Sequence, residues 1–295
     1  MMNGIYGKKT LDKKIMKIFV LGSKGMLGRY VSKYLGHYYD VIEINRDVID
    51  ASDITENDIE LNLIRSGMKE NDVVINCIGT IKPRVDELGD LNAIIVNSVF
   101  PRMLANACKK NNAHLIHPTT DCVYSGSKGS YSENDKYDVS DVYGMSKAMG
   151  EPSNCTVIRT SIIGEEVGQG RSLVEWVKSN ADKTVFGYTN HLWNGMTCLQ
   201  FAMVCIQIID FNIYWEGTRH IHSNSLNKKD LVEIISKIYD LNITVTPKET
   251  PIKCDRTIST IYDLSIFYIP SLEEQIRQMK EFSYYLFSNL NENFS

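Results

Sequence analysis

The chain has 295 residues, and its 36 acidic and 32 basic side chains give a formal net charge of −4. This balance argues against a nucleic-acid or acidic-membrane partner, because the surfaces that bind either one are basic. The seven cysteines include no C-x-x-C pair, a pattern typical of reduced thiols and not of a disulfide framework or a zinc site. The sequence therefore predicts no metal centre.

Residues 1–15 carry basic side chains but lack the apolar run that a signal peptide needs. They are predicted to form an extension before the first strand. No stretch of the chain approaches the roughly 18 apolar residues of a membrane-spanning helix. We therefore expect a cytoplasmic protein without a membrane partner.

Short apolar runs alternate with segments of helical period in the first half of the chain. The predicted strands are 16–22, 40–45, 72–79, 114–120 and 155–164, and the predicted helices between them are 25–36, 56–67 and 91–112. Strands that are apolar throughout are typical of a parallel sheet covered on both faces. Repeated βα units predict an α/β fold with a Rossmann-type doubly wound parallel sheet.

The pattern changes after about residue 165. Helical segments at 172–179, 197–210 and 228–240 mix with short loops, and an aromatic segment at 281–290 predicts a packed C-terminal helix. We expect an NAD(P)-binding Rossmann domain over residues 16–165. Residues 166–295 are expected to form mainly a smaller C-terminal substrate-binding lobe, with some return to the sheet.

The first βα turn contains Gly22, Gly25 and Gly28, a G-x-x-G-x-x-G spacing. Glycines at such a turn let backbone N–H groups approach a pyrophosphate at the helix N-terminus. Met26 and Leu27, which open the helix, belong to the same predicted cofactor site. The alternative is a glycine-rich turn without a ligand, and the motifs downstream argue against it.

The end of the second predicted strand bears on the choice of cofactor. An acidic residue there would bind the ribose 2′-OH of NAD. Asn45 takes that place and Arg46 follows it. Because an arginine can pair with a 2′-phosphate, the sequence favours NADPH, with NADH as the alternative. Arg46 could also be a solvated surface residue without a role in cofactor binding.

Thr120, Tyr143 and Lys147 follow in an order that suits carbonyl reduction. Tyr143 and Lys147 are four residues apart, so a helix would project both from one face. An ammonium about 4 Å from a phenol favours the phenolate by about 4 kcal/mol at an effective dielectric near 20, enough to lower a tyrosine pKa from about 10 toward about 7. Such a tyrosine could protonate a ketone oxygen, and Thr120 would give that oxygen a second hydrogen bond.

Together these motifs resemble the extended short-chain dehydrogenase/reductases, and within them the dTDP-4-dehydrorhamnose reductase group. The segments that carry the resemblance are GSKGMLG, DIT at 53–55, NCIG, TTDCVYSG, YGMSKAMGE and VIRTSIIG and, more loosely, WNGMT and CDRTIST. The resemblance implies NAD(P)H-dependent reduction of the C4 ketone of a nucleotide-linked 4-keto-6-deoxy sugar. The nucleotide would be dTDP or UDP, the sugar could carry a 2-acetamido group, and the protein would be a homodimer.

The resemblance also assigns roles to single residues. It implies that Thr120, Tyr143 and Lys147 are catalytic. The residues that it implies along the dinucleotide, beyond the glycine loop, are Asp53, Ile54, Cys77, Gly79 and Lys147. In the lobe, Arg256 would hold a phosphate of the substrate, and a surface ion pair is the equally weighted alternative.

Two departures from the family pattern bear on the substrate and the assembly. The segment after Lys147 is short, which predicts a truncated helix and an altered helix-mediated dimer face. The usual DQ-x-G-x-P-T is replaced by NHLWNGMT, with Trp193 where the chain would approach the sugar. This change favours a sugar other than plain 4-ketorhamnose.

Cys122 lies two residues past Thr120, an offset similar to that in GDP-fucose synthase and the plant UDP-rhamnose epimerase/reductases. A thiol there could epimerise C3 or C5 before reduction, with His191 or Glu175 as loosely supported partner bases. The alternative is a small buried cysteine that only packs. The sequence leaves both interpretations open.

Other functions receive less support. His220 and His222 could form a metal pair, but no third ligand is evident, so a structural role is favoured. A redox-neutral epimerase or dehydratase would keep its nucleotide bound, and Arg46 weighs against it. A non-catalytic NADP-binding regulatory subunit, like that of methionine adenosyltransferase, shares the fold, but the intact Thr120, Tyr143 and Lys147 favour an enzyme.

Overall fold

The computed structural model describes residues 16–167, 170 and 172–291, so the predicted extension at 1–15 lies outside the described residues. The strands are β1 (Lys17–Leu21), β2 (Asp40–Ile44), β3 (Val73–Asn76), β4 (His114–Thr120), β5 (Thr156–Thr160), β6 (Ile162–Ile163), β7 (Thr184–Tyr188), β8 (His191–Trp193), β9 (Met196–Thr197), β10 (Gly217–His220), β11 (Leu226–Asn227), β12 (Thr244–Lys248) and β13 (Cys254–Asp255).

Helices alternate with these strands in the first half of the chain, and further helices follow in the second half. They are α1 (Met26–Gly36), α2 (Glu56–Arg65), α3 (Lys82–Leu88), α4 (Asp90–Ile94), α5 (Phe100–Lys110), α6 (Val142–Met149), α7 (Leu173–Lys178), α8 (Cys198–Phe211), α9 (Lys228–Tyr239) and α10 (Leu272–Asn291). A π-helix (Ile95–Val99) joins α4 to α5, and a 3-10 turn (Asp121–Val123) follows β4.

The central sheet has six strands in the order β10-β5-β4-β3-β1-β2. Every pairing in it is parallel, which confirms the predicted doubly wound α/β fold. Because β2 and β3 lie on opposite sides of β1, the sheet winds outward in both directions from its first strand. The carboxyl ends of β1, β3 and β4 therefore lie at one edge, where ligands bind in such folds.

Apolar layers cover both faces of the sheet. One layer contains Tyr30 and Leu35 of α1 together with α8, which is buried from Cys198 to Ile209. The other layer contains Leu63 of α2 and Leu104 of α5. α8 is mainly apolar and buried on all sides, in keeping with its position between α1 and α10, whereas α1 and α5 each bury one face.

Short sheets lie outside the central one. β6 pairs with β9, β7 pairs with β12, and β8 lies between β11 and β13. β10 returns to the central sheet beside β5, and the division at residue 165 stays a prediction. None of the helices in the described part of the chain is long and apolar enough to cross a membrane.

Candidate active site

The glycine loop joins β1 to α1. Gly22 has a φ of +73°, and a Cβ on Gly28 would overlap the carbonyl oxygen of Gly22, so this approach of helix to loop requires glycine. No side chain caps the α1 N-terminus at Gly25, which leaves the first-turn N–H groups of Met26 and Leu27 for a ligand.

The buried hydroxyl of Ser23 supports the same site. Ser23 is 3% exposed, and its oxygen has no hydrogen-bond partner among the described residues. A buried hydroxyl without a partner is costly, and a phosphate at the α1 N-terminus would satisfy it together with the helix N–H groups. The loop therefore fits the pyrophosphate of a dinucleotide.

Arg46 lies just beyond the carboxyl end of β2, beside the glycine loop, where the N–H of Gly22 donates to Ile44. Its guanidinium bonds Asp50 Oδ2 at 2.8 Å and Ser52 Oγ at 3.3 Å, and its side chain is 77% exposed. The hydrogen bond from Arg46 lowers the pKa of Asp50 to about 2. Exposed pairs of this kind contribute little energy, so a 2′-phosphate could recruit the arginine.

The remaining residues expected along the dinucleotide follow β2 and β3. Asp53 is exposed and Ile54 is partly buried against the apolar layer of α2 and α5. The N–H of Cys77 donates to Leu21 at the end of β1, 2.9 Å away. Gly79 is exposed, and a Cβ there would lie 3.4 Å from Lys147 Nζ, so the loop after β3 reaches the predicted catalytic lysine.

Asn97, which the sequence analysis missed, fixes that loop. Its Oδ1 accepts from the Thr80 N–H at 2.9 Å, and its Nδ2 donates to Thr80 O at 3.0 Å and Ser146 Oγ at 3.2 Å. Asn97 is 1% exposed and lies in the π-helix, a feature frequent at functional sites. The signal in the sequence was a polar residue inside the apolar run AIIVNSVF.

Thr120 ends β4 and turns the chain toward α6. Its Oγ1 accepts the N–H of Cys122 at 3.1 Å and donates to Asp121 Oδ1 at 3.2 Å. Across from it, Asp141 caps α6 by accepting from the Gly144 N–H at 2.9 Å. A side-chain hydrogen bond joins Tyr143 to Thr120. The structure therefore brings Thr120 and Tyr143 together as predicted.

The electrostatics of Tyr143 differ from the prediction. Burial raises the pKa of Tyr143, the nearby Cys122 raises it further, and the hydrogen bond with Thr120 acts in the opposite direction. The predicted lowering of this pKa toward 7 by Lys147 is wrong, because loss of hydration of the phenolate is the largest effect. Tyr143 is thus a neutral phenol and a proton donor at neutral pH.

Lys147 is partly buried one helical turn after Tyr143. Burial lowers the pKa of Lys147 to about 8, and Glu151 acts in the opposite direction. Beneath it, His117 is 1% exposed, and its Nδ1 lies 3.1 Å from Asn76 Nδ2. Burial and the charge of Lys147 lower the pKa of His117 to about 3, so the imidazole is neutral and Lys147 is the cation here. α6 ends at Met149, in agreement with the predicted truncation.

Cys122 contacts Arg256 across the cleft. Arg256 Nη1 lies 3.7 Å from Cys122 Sγ, and Arg256 Nε donates to Tyr124 O at 3.1 Å. Burial and the carboxylate of Asp121 raise the pKa of Cys122 to about 12 despite the guanidinium. Cys122 is therefore a protonated thiol. Arg256 forms no ion pair with any described residue, although Asp121 and Asp141 act on its charge.

The lobe residues take different positions from those expected. Trp193 is 4% exposed in the apolar core, so its ring offers little surface to a sugar. His191 Nε2 lies 2.8 Å from Thr250 Oγ1. Glu175 bonds Lys178 and the Glu166 backbone. None of the contacts of His191 or Glu175 joins either residue to Cys122 directly.

A buried ion pair joins β5 to the segment that follows α6. Arg159 bonds Glu151, with both side chains 3% exposed, and it also donates to the hydroxyls of Tyr124 and Tyr137 at 2.7 and 3.0 Å. His220 joins this group through Nε2, 2.7 Å from Arg159 Nη1. His220 thus has the structural role that was favoured.

His222 does not share in this network, since its Nδ1 contacts the carbonyl of Ser223, 3.0 Å away. β10 ends at His220, so the two histidines are not on one strand. Across the described residues, no group of three or more His, Cys, Asp or Glu side chains could hold a metal ion.

The chain belongs to the RmlD substrate binding domain family, which matches residues 16–185. A dTDP-4-dehydrorhamnose reductase of Aggregatibacter actinomycetemcomitans is 34% identical over 150 residues, 50% of this chain and 49% of that protein. The chain thus spans about half the length of this relative. A probable low-salt glycan biosynthesis reductase of Haloferax volcanii, Agl14, is 26% identical over 262 residues, 82% of this chain and 86% of that protein.

Solved structures share the fold over most of the chain. A dTDP-4-dehydrorhamnose reductase of Clostridium acetobutylicum superposes with a TM-score of 0.74 at 21% identity, covering 91% of this chain and 99% of that one. The Bacillus anthracis dTDP-4-dehydrorhamnose reductase in complex with NADP gives a TM-score of 0.74 at 17% identity, covering 90% and 99%. These likenesses establish the Rossmann-type fold.

Proposed function

We propose that the protein is an NADPH-dependent reductase of the C4 ketone of a nucleotide-linked 4-keto-6-deoxy sugar. The observation that carries this proposal is the contact between Thr120 and Tyr143 at the carboxyl edge of the sheet. Lys147 follows one helical turn later and lies next to Gly79 in the loop after β3. Membership of the RmlD family and relatives named as dTDP-4-dehydrorhamnose reductases support it.

In this proposal NADPH, when bound, supplies the hydride that reduces the ketone carbon. Tyr143 gives its phenolic proton to the ketone oxygen. The raised pKa of Tyr143 keeps that proton on the phenol at neutral pH until the reaction. The N–H of Cys122 fixes Thr120 Oγ1, and the hydroxyl turns its hydrogen from Asp121 to the ketone oxygen. Lys147 stabilises the phenolate that forms and holds the nicotinamide ribose.

The cofactor assignment rests on the glycine loop and on Arg46. The uncapped α1 N-terminus and the unbonded Ser23 hydroxyl would hold the pyrophosphate, and Arg46 would leave Asp50 for the 2′-phosphate of NADPH. Asp53 and Ile54 would line the adenine, and Cys77 and Gly79 the dinucleotide. The Bacillus anthracis structure with NADP supports the choice, and NADH is the weaker alternative.

The substrate is proposed to be dTDP- or UDP-linked, with a 2-acetamido sugar as an option. Arg256 reaches Cys122 from the lobe and would bind a phosphate. Epimerisation by Cys122 needs a second acid or base. Since Cys122 is protonated and bonds neither His191 nor Glu175 among the described contacts, we favour reduction without epimerisation.

The assembly is proposed to be a cytoplasmic homodimer. All seven cysteines are free, which suits a reducing compartment. Large apolar side chains are exposed next to one another on α4 and α6, including Leu91 at 71%, Met145 at 42% and Met149 at 48%. Such a patch is typical of a self-association surface, and two-fold packing of α6 against α6 would cover it.

The test is an assay of NADPH consumption with enzymatically prepared dTDP- and UDP-4-keto-6-deoxy sugars. Tyr143→Phe removes only the phenolic hydroxyl and is expected to lower kcat about 10²–10⁴-fold while NADPH binding persists. Thr120→Val should lower kcat by a similar factor. No turnover of any 4-keto sugar by the wild-type protein, together with tight association with another enzyme, would instead favour a non-catalytic regulatory subunit.

A further inference from the structure

The sheet β11–β8–β13 brings two cations of the lobe to the same place. β11 pairs with β8 in the register Leu226 to Trp193, and β13 pairs with β8 on its other side. Lys228 follows β11 directly, and Arg256 follows β13 directly. The two side chains therefore follow the two strands that flank β8, although 28 positions of sequence numbering separate them.

Lys228 lies over the ring of Trp193. Its Nζ is 5.1 Å from the ring centroid, a distance at which an aromatic face attracts a cation. Trp193 is thus buried in the core while its ring contacts the lysine. Burial lowers the pKa of Lys228, and the charge of Arg256 acts in the same direction.

Neither cation has an ion-pair partner among the described residues. Lys229, the next residue along, pairs with Asp230 and Glu233 on the surface of α9, whereas Lys228 and Arg256 pair with no carboxylate in that part of the chain. Partly buried charges without partners are costly. Such a pair persists where a ligand supplies the opposite charge.

Two carboxylates act on these cations, Asp121 on both and Asp141 on Arg256, and they do not balance the charge of the site. Asp121 is 3% exposed and bonds Thr120. Burial raises the pKa of Asp121, while Arg256 and Lys228 act in the opposite direction. The thiols of Cys122 and Cys254 also face both cations. His191 faces them too and has a pKa lowered by burial and by their charge, so it is neutral. Asp141 is already paired with Lys82 Nζ, 2.9 Å away. Lys82, Lys228 and Arg256 against the two carboxylates leave a net positive charge beside Thr120.

We propose that Lys228 and Arg256 form a two-cation site that binds anionic oxygens of the substrate, and that Lys228 is a substrate-binding residue. The chemistry is that of a phosphoryl or carboxylate group, since two convergent cationic donors match either. The diphosphate of the nucleotide sugar and a carboxylate on the sugar are the two sources. This proposal rests on the proposed nucleotide-sugar substrate, but binding tests it without turnover.

Titration calorimetry of the full chain, saturated with NADP⁺ to fill the dinucleotide site, tests the proposal. The ligands are UDP, dTDP, uridine, UDP-glucose and UDP-glucuronate. Lys228→Gln removes the charge and keeps the side chain polar. Lys229→Gln is the matched control on the next residue, whose ammonium already pairs with Glu233. Lys228→Gln is expected to weaken UDP or dTDP binding about tenfold or more, while uridine and NADP⁺ affinities stay unchanged.

The two sources give different outcomes. A loss for every diphosphate ligand assigns the cations to the diphosphate. A loss confined to UDP-glucuronate, relative to UDP-glucose, assigns them to a carboxylate on the sugar. Equal affinity of wild-type, Lys228→Gln and Lys229→Gln proteins for all these ligands would overturn the proposal. Diphosphate binding that depends on Lys228, in a protein that reduces no 4-keto sugar, would leave the site standing and reject the proposed function alone.

Discussion

Gly144 packs directly against the carbonyl oxygen of Cys122. A Cβ at position 144 would overlap that oxygen and also the side chain of Val139, so glycine lets α6 approach the turn that follows β4. The residue before it is Tyr143. The close approach of two backbones thus fixes the distance between the proton donor and Thr120.

Gly144→Ala is therefore expected to move Tyr143 away from Thr120 and to lower kcat at least about tenfold, because reacting groups tolerate little displacement. The measurement is steady-state NADPH oxidation, with circular dichroism to confirm folding. Gly36→Ala is the matched control, since a Cβ at the end of α1 meets nothing within 4 Å. Unchanged turnover in Gly144→Ala would show that the approach of α6 does not position Tyr143.

The pH dependence of the reduction rate should follow the deprotonation of Lys147. Burial lowers the pKa of Lys147 to about 8, and in the proposed reaction the ammonium is the form that stabilises the Tyr143 phenolate. kcat/KM is thus expected to be full below this pKa and to fall as pH rises through about 8. Tyr143, whose pKa is raised, stays protonated over that range and adds no inflection.

The matched variant is Lys147→Arg, which keeps a cation at every accessible pH because arginine does not titrate in proteins. Its kcat/KM should be lower than that of the wild type but flat across pH 8. A fall at the same pH in Lys147→Arg would assign the inflection to another group.

The preference for NADPH over NADH should depend on Arg46, in the loop after β2. Arg46→Ala is expected to raise KM for NADPH about tenfold, as loss of a charged hydrogen bond predicts, and to leave KM for NADH unchanged. Asp50→Asn removes the carboxylate that bonds Arg46 and should strengthen NADPH binding by freeing the guanidinium. An equal rise in KM for NADPH and NADH in Arg46→Ala would show that Arg46 does not bind the 2′-phosphate.

The ion pair between Arg159 and Glu151 should contribute to both stability and activity. Glu151→Gln leaves a buried guanidinium without its partner and is expected to lower the free energy of unfolding by about 3–5 kcal/mol. Because Glu151 raises the pKa of Lys147, the same variant should move the alkaline fall of kcat/KM to lower pH.

Denaturant unfolding and a pH–rate profile measure these two effects. Glu216→Gln is the control, since it breaks the exposed pair of Glu216 with Lys109, in which the side chains are 65% and 58% exposed, and should cost at most about 1 kcal/mol. A stability loss in Glu151→Gln no larger than in Glu216→Gln would contradict the buried role.

The sequence predicted the first five strands, most of the helices and the meeting of Thr120 and Tyr143. These follow from local patterns: apolar runs, helical periodicity and the order of motifs along a parallel sheet. The π-helix at Asn97 was not predictable, because an inserted residue in a helix depends on the tertiary contacts of its side chain with Thr80 and Ser146.

The pKa predicted for Tyr143 was wrong because burial has the largest effect on it. The pKa of Tyr143 was expected to fall from its spacing to Lys147, but the loss of hydration in the folded site is a larger effect. The role of Lys228 could not be predicted from the sequence, and the reason again lies in the tertiary structure. Its adjacency to Arg256 comes from the pairing of β11 and β13 with β8, and such pairing between distant short strands leaves no local signal in the sequence.

The most direct test of the proposed reaction is NMR of the product formed in D₂O from dTDP- and UDP-4-keto-6-deoxy sugars with NADPH. We expect a C4 alcohol without deuterium at C3 or C5, formed by the wild type and by Cys122→Ala and lost in Tyr143→Phe. Ring deuterium that disappears in Cys122→Ala would contradict simple reduction and make Cys122 an epimerising acid. An unreduced ketone with every substrate, including 2-acetamido sugars, would contradict the proposed activity itself.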